Sequence, residues 1–246
     1  MSRNKKRRKP IYIVIEVICA LVFLASASVF LFPYVNNFYY TERNKKEITD
    51  FEDRVTEEAK ARPSAPYPEL LEALRIYNSQ LSIEGQDKIR DMMEYASFPV
   101  KLSDYNVPDN MIGYVTIPSI KVELPLFLGA DYRNMADGAA VLGYSSAPIG
   151  GRSTNCVIAG HNTWRGSPKF RYIADLKPGD EVYITNLWGR MSYRVTGRKI
   201  IKPSEFDDVL IQQDKDMVTL MTCYPYGSNG RFRVLVFCEA EHPDAF

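Results

Sequence analysis

The chain has 246 residues, 46% of them hydrophobic, and a formal charge of +1 from 31 Lys+Arg against 30 Asp+Glu. The near-neutral total conceals two differently charged parts. Six of the basic residues lie within positions 3–9, which leaves 25 bases against 30 acids in the rest, a net charge near −5. A mildly acidic remainder without a basic stripe argues against nucleic acid as a partner. Two histidines and no CxxC motif give no basis for a closed zinc site, and nothing in the sequence calls for a metal or organic cofactor.

Residues 1–9 form a basic segment, and an apolar run follows over residues 10–35, interrupted mainly by Glu16 and a few serines. Crossing a hydrocarbon core takes about 20 such residues, so this run reads as a transmembrane anchor. Basic flanks stay cytoplasmic, which places the N-terminus inside and everything after Asn36 outside the cell. Ala25-Ser26-Ala27 offers a signal-peptide cleavage site as the competing reading, but apolar character continues past it through Val29, Phe30, Leu31 and Phe32. With no second apolar run of that length, the expectation is a single-pass membrane protein.

Residues 36–110 read as a helical stalk. Ile48, Phe51 and Val55 recur at helical spacing within residues 45–61, and Leu70, Leu74, Tyr77 and Leu81 mark a second amphipathic helix. The proline-rich stretch from Arg62 to Pro68 separates the two. This stalk serves either as a spacer packed on the core or, through the aromatics of residues 96–110, as a lid over a groove.

From Met111 to Ala240 the texture is β. Short apolar runs recur at 112–118, 122–128, 155–159, 181–185, 191–195, 199–202, 217–222 and 233–237, punctuated by Gly, Pro and Asn. That pattern indicates a mainly β protein whose sheet closes into a barrel or sandwich of about 130 residues. Short helices are expected near 132–140 and 167–175, and residues 241–246 form a tail. Of the four cysteines, Cys19 lies in the anchor, and Cys156, Cys223 and Cys238 lie beyond it. An odd number outside leaves at least one thiol unpaired, and a Cys156–Cys238 bridge is compatible with the sequence.

Cys223 ends one apolar run and Arg233 opens the next, across a turn rich in Pro225, Gly227, Asn229 and Gly230. A guanidinium facing a thiol favours the thiolate and stabilises an oxyanion. His161 follows the apolar run 155–159 and Gly160, so it too presents its side chain at a strand end, whereas His242 sits in the polar tail. Thiol, imidazole and guanidinium together suit acyl transfer, with Cys223, His161 and Arg233 as the candidate catalytic residues. Arg231, two residues before Arg233 and on the same face of a continuous strand, is the alternative arginine.

Ala159-Gly-His161, Thr219-Leu-Met-Thr-Cys223 and Arg233-Val-Leu-Val236 resemble the three signature segments of sortases, Gram-positive cell-surface cysteine transpeptidases. The resemblance runs from Met111 to Val236 and includes Gly150-Gly-Arg-Ser-Thr154 and Leu176-Lys-Pro-Gly-Asp-Glu-Val182. It implies a closed sortase-type β-barrel behind an N-terminal transmembrane helix and stalk. It also implies that Cys223 attacks the Thr–Gly carbonyl of an LPXTG-like sorting signal on a surface protein or pilin. The thioacyl enzyme then passes to an amine, either a pilin lysine or a lipid-linked peptidoglycan precursor. The Tyr-Pro-Tyr-Gly-Ser-Asn229 turn is most similar to class C, while no Asp-Pro-aromatic lid motif or second span is found, which leaves class B-like anchoring open. Residues 164–169 and 201–210 are expected to shape the substrate groove. A papain-like hydrolase, with its cysteine at a helix N-terminus, and a catalytically silent tethered module are the rival readings.

Overall fold

The computed structural model describes residues 10–62, 65–86, 97–163, 165–228 and 230–241. The basic segment 1–9, residue 96 of the candidate lid, Trp164, Asn229 and the tail from His242 lie outside the described residues.

The apolar run and the first helix expected after it are one element, α1 (Pro10–Ala61), of 52 residues. The sequence suggests a separate helix at 45–61; instead the chain stays helical throughout, because residues 36–61 contain neither Gly nor Pro to break it. Pro33 lies inside the helix, where its missing N–H leaves the carbonyl four residues back without its usual donor. In the apolar half, Ser26 and Ser28 donate their hydroxyls to the carbonyls of Val22 and Leu24, both at 2.8 Å, so neither presents an unsatisfied polar group. That half is exposed on all sides, and its length and composition suffice to cross a membrane. Beyond it, Tyr40, Asn44, Ile48 and Phe51 form a buried stripe at helical spacing that lies against the barrel. Phe51 meets Tyr114 edge-on, with ring centroids 6.2 Å apart, and Arg54 pairs with Asp109 at 2.6 Å.

α2 (Pro68–Glu84) buries Leu70, Leu74 and Leu81. Phe98, Leu102 and Val107 then pack into the same core, Phe98 against Tyr77. The described residues 97–110 are therefore part of the packed body, with their aromatics turned toward the core.

Eight strands follow: β1 (Met111–Ile117), β2 (Val122–Leu128), β3 (Ala139–Val141), β4 (Thr154–Ala159), β5 (Glu181–Asn186), β6 (Arg190–Ile201), β7 (Asp216–Tyr224) and β8 (Phe232–Ala240). They close in the order β1-β2-β3-β4-β7-β8-β6-β5, with β2/β3 and β4/β7 parallel and the other pairs antiparallel. The two runs at 191–195 and 199–202 are one strand, β6, bent by an irregularity between Val195 and Gly197. One short helix, α3 (Tyr132–Asp137), starts on an Asp131 cap, whose carboxylate accepts from the Asn134 N–H at 2.8 Å. A single 3-10 turn (Ile173–Asp175) occupies the second place where a helix is expected.

β4 and β7 are buried on both faces. Cys156, Ile158, Val218 and Leu220 belong to the main core. Val157, Ala159 and Met221 belong to a second cluster with Leu142, Phe206, Val209 and Leu235. Side chains alternate along a strand, so this second cluster marks the outer face of β4, β7 and β8. Cys156 and Cys238 both pair with Val218, one from each side of β7. Two strand spacings, about 9–10 Å, separate them, beyond the reach of a disulfide. Both are free, buried thiols, and burial pushes each thiol well above its usual range.

Candidate active site

The period of two along a strand explains how the three candidate side chains converge. Ala159 pairs with Met221 across β4/β7, and Cys223 pairs with Arg233 across β7/β8. Cys223 lies two residues beyond Met221, Arg233 two before Leu235, and His161 two beyond Ala159. All three continue the row of the outer cluster at the end of the barrel where β4 and β7 finish. Cys223, His161 and Arg233 line one cavity of about 340 Å³. Its floor is Ala159 and Met221, and its walls are Tyr132 and Met135 of α3 and Pro203 and Phe206 of the β6–β7 loop.

Backbone ties hold the strand ends together. The Gly160 N–H donates to the Met221 carbonyl at 3.1 Å, and Thr222 Oγ1 donates to the Gly160 carbonyl at 2.8 Å. Asn162 Nδ2 donates to the Cys223 carbonyl at 3.1 Å, which links the residue after the histidine to the cysteine itself. On the other side, the Phe170 N–H donates to the His161 carbonyl at 2.9 Å. Gly160 is required for close approach: a Cβ there would lie 2.7 Å from two atoms of the Phe170 ring.

Arg233 is oriented by the β7–β8 turn. One guanidinium nitrogen, Nη1, donates to the Gly230 carbonyl at 2.8 Å and to the Phe232 carbonyl at 3.1 Å. Gly230 has φ +76°, and a Cβ on it would sit 3.1 Å from Arg233 Nη1 and 3.5 Å from Cys223 Sγ. Gly230 therefore lies beside both the thiol and the guanidinium. Arg231 precedes β8 and is exposed, lining an adjacent groove with Lys202, Glu205 and Asp207. The shared-face argument for the two arginines does not apply, because Arg231 is not in the strand.

Lys169 is a participant that sequence reasoning placed only within a groove segment. It is buried, and its Nζ donates to the carbonyls of Met135, Ala136 and Gly138 at 3.3, 2.7 and 3.4 Å. It thereby caps the C-terminal end of α3, where helical carbonyls lack partners and a cation is favoured. Burial lowers the Lys169 pKa to about 8. Burial also holds His161 below its usual 6.5, and the Lys169 cation adds to that shift. Both effects favour the neutral imidazole over the imidazolium. Asp137, at the end of α3, pairs with Arg43 of α1 at 2.9 Å, so this network reaches the long helix.

A model of the sortase domain matches residues 115–241, half of the chain. Sortase A of Bacillus anthracis is 32% identical over 121 residues, a match covering 49% of this chain and 56% of that protein. The chain thus spans about half the length of this curated relative. Sortase C-1 of Streptococcus pneumoniae superposes with a TM-score of 0.68 at 30% identity, over 79% of this chain and 97% of that one. Clostridium perfringens sortase C with the C-terminal cell wall sorting motif superposes at 0.66 and 29% identity, over 80% and 98%. With the eight-stranded barrel, the matched domain and these neighbours in agreement, the chain belongs to the sortase family, its core most like sortase C.

Proposed function

We propose that this chain is a membrane-anchored cysteine transpeptidase acting on LPXTG-like sorting signals of surface proteins or pilins. The observation that carries this reading is the single cavity lined by Cys223, His161 and Arg233 at the strand ends. Cys223 lies within a strand, β7, and not at a helix N-terminus, which favours this chemistry over a papain-like hydrolase. A neighbour described with a cell wall sorting motif supports the substrate class.

In this mechanism His161, neutral at rest, takes the thiol proton as Cys223 Sγ attacks the Thr–Gly carbonyl. The oxyanion develops beside the Arg233 guanidinium, a stabilisation worth roughly 3–4 kcal/mol, or 10²–10³ in rate. The imidazolium returns its proton to the departing glycine amine, which leaves a thioacyl enzyme. An incoming amine then gives its proton to His161 and takes the acyl group, forming a new amide and restoring the thiol. The amine comes from a pilin lysine or a lipid-linked peptidoglycan precursor. The likeness of the core to sortase C favours the lysine. The apolar half of α1 serves as the anchor, with basic residues 1–9 cytoplasmic and the barrel outside.

The test is ligation by the full chain in detergent, using an LPXTG peptide with lysine- or glycine-bearing acceptors and product masses as the readout. A ligated product that vanishes in Cys223→Ala is expected, with lysine preferred. Cleavage without ligation to any amine would refute transpeptidation.

A further inference from the structure

We propose that the active-site end of the barrel rests against the outer headgroup layer of the membrane that α1 spans. The proposal rests on the reading of α1 as an anchor, and it starts from where that helix touches the catalytic body. Pro33 fills the space beside Gly166, with its Cα and Cβ at 3.0 and 3.2 Å from where a Cβ would stand. Asn36 Nδ2 donates to the Arg165 carbonyl at 2.9 Å, and Ser167 Oγ donates to Asn37 Oδ1 at 3.3 Å. Residues 33–37 are the boundary where the apolar run of α1 ends. The loop they hold is the one that leaves His161. The segment beside the catalytic histidine is therefore fixed to the helix at the level where that helix leaves the hydrocarbon.

Contacts further along α1 give the barrel a direction. Arg43 meets Asp137, then Phe51 meets Tyr114, and Arg54 meets Asp109 beside the start of β1. From Pro33 to Arg54 is 21 residues, about 30 Å of helix rise. The β1 start thus stands a domain's height above the membrane, and the ends of β4 and β7 are the near side.

The near side is built for an interface. α1 exposes Tyr34, Phe38 and Tyr39 just past the apolar run. The loop after His161 exposes Tyr172, and the β7–β8 turn exposes Tyr226. The Arg171 guanidinium lies 3.9 Å from the centre of the Tyr226 ring and 5.9 Å from that of Tyr172, joining the loop and the turn. Tyrosines collect at headgroup depth, and arginine suits phosphate. This orientation lets a substrate tethered in the same leaflet reach Cys223 without leaving the bilayer.

The test uses the full chain in bilayer nanodiscs with a fluorophore on single cysteines introduced in a Cys19→Ala, Cys223→Ala background. Tyr172→Cys and Tyr226→Cys probe the near side, and Gln212→Cys, close to the start of β7, probes the far side. A separate Cys223→Ala protein labelled at native Cys19 reports whether α1 is inserted. Lipids carrying a nitroxide at the headgroup should quench the labels at 172 and 226 and leave that at 212 bright, while acyl-chain nitroxides quench Cys19. An unquenched Cys19 would sink the anchor reading itself. A quenched Cys19 with labels at 172 and 226 no dimmer than that at 212 would overturn the orientation alone and leave that face to a soluble partner.

Discussion

Gly160→Ala is the substitution that most directly probes how the histidine is positioned. The added methyl would lie 2.7 Å from two Phe170 ring atoms and 3.1 Å from a third. Ordinary carbon contacts are about 3.5–4.0 Å, so ring and backbone must separate by about 1 Å. Phe170 is fully buried, which leaves the ring no open side. Overpacking of this kind costs about 1–3 kcal/mol of stability. The displacement also reaches catalysis, because the Phe170 N–H holds the His161 carbonyl at 2.9 Å and Gly160 precedes His161 directly. A misplacement of about 1 Å at a reacting group can lower the rate by up to about 10²-fold. Urea denaturation and kcat/KM for peptide ligation measure the two effects. Gly160→Ala/Phe170→Leu removes the clash and should recover activity relative to Gly160→Ala alone. A Gly160→Ala protein within about 0.5 kcal/mol of wild type and equally active would refute the reasoning.

Four further outcomes follow from the structure. Burial is the larger cause of the lowered imidazole pKa, but Lys169→Met removes the cation that adds to it, so the His161 pKa should rise. NMR titration of the ring should show the increase, and the acidic limb of kcat/KM should move to higher pH; an unchanged or lower value would contradict the coupling. The same variant leaves three carbonyls at the end of α3 without their donor, a loss of about 1–3 kcal/mol in thermal or urea unfolding. Arg233→Ala should lower kcat by roughly 10²–10³, and Arg231→Ala by less than about tenfold, since only Arg233 lines the cavity with Cys223; the reverse ranking would reassign the arginine. Asp216, at the far end of the barrel, accepts from the Gly151 N–H and the Tyr193 hydroxyl, yet burial raises its pKa from 3.8 to about 6. The native state therefore holds this proton more tightly than the unfolded chain, and stability falls as pH rises from about 4 to about 6, by an amount on the order of 2–3 kcal/mol. Asp216→Asn should flatten that part of the stability–pH curve, and an unchanged slope would rule out Asp216 as its source.

The convergence of Cys223 and His161 was legible in the sequence because strand ends and a period of two require no knowledge of distant contacts. The same local signals placed β2 without error and most other strand limits within a residue or two. β3 escaped notice because three residues, Ala139–Val141, have no periodicity of their own and pair only after β2 and β4 are in place. The join between the apolar run and the helix after it escaped because helical periodicity fades across the polar residues 41–47, although no residue there stops the helix. Lys169 shows the deeper limit. A lysine in Ser167-Pro-Lys-Phe170 reads as solvated loop, and only the carbonyls at the end of α3, more than 30 positions earlier, make its burial tolerable. The apolar run Val234-Leu-Val236 after Arg233 favours it over Arg231 in the sequence, and the start of β8 at Phe232 puts only Arg233 in the strand.

In the proposed reaction Cys223 forms an acyl bond to a sorting signal with help from His161. Intact-protein and peptide mass spectrometry of the full chain, quenched in acid shortly after mixing with an LPXTG peptide and no acceptor, tests it most directly. The expected result is a thioacyl adduct ending at the threonine, mapped to Cys223, lost in Cys223→Ala and strongly reduced in His161→Ala. An adduct on another residue, or none while a thiol-reactive probe labels Cys223 freely, would contradict it.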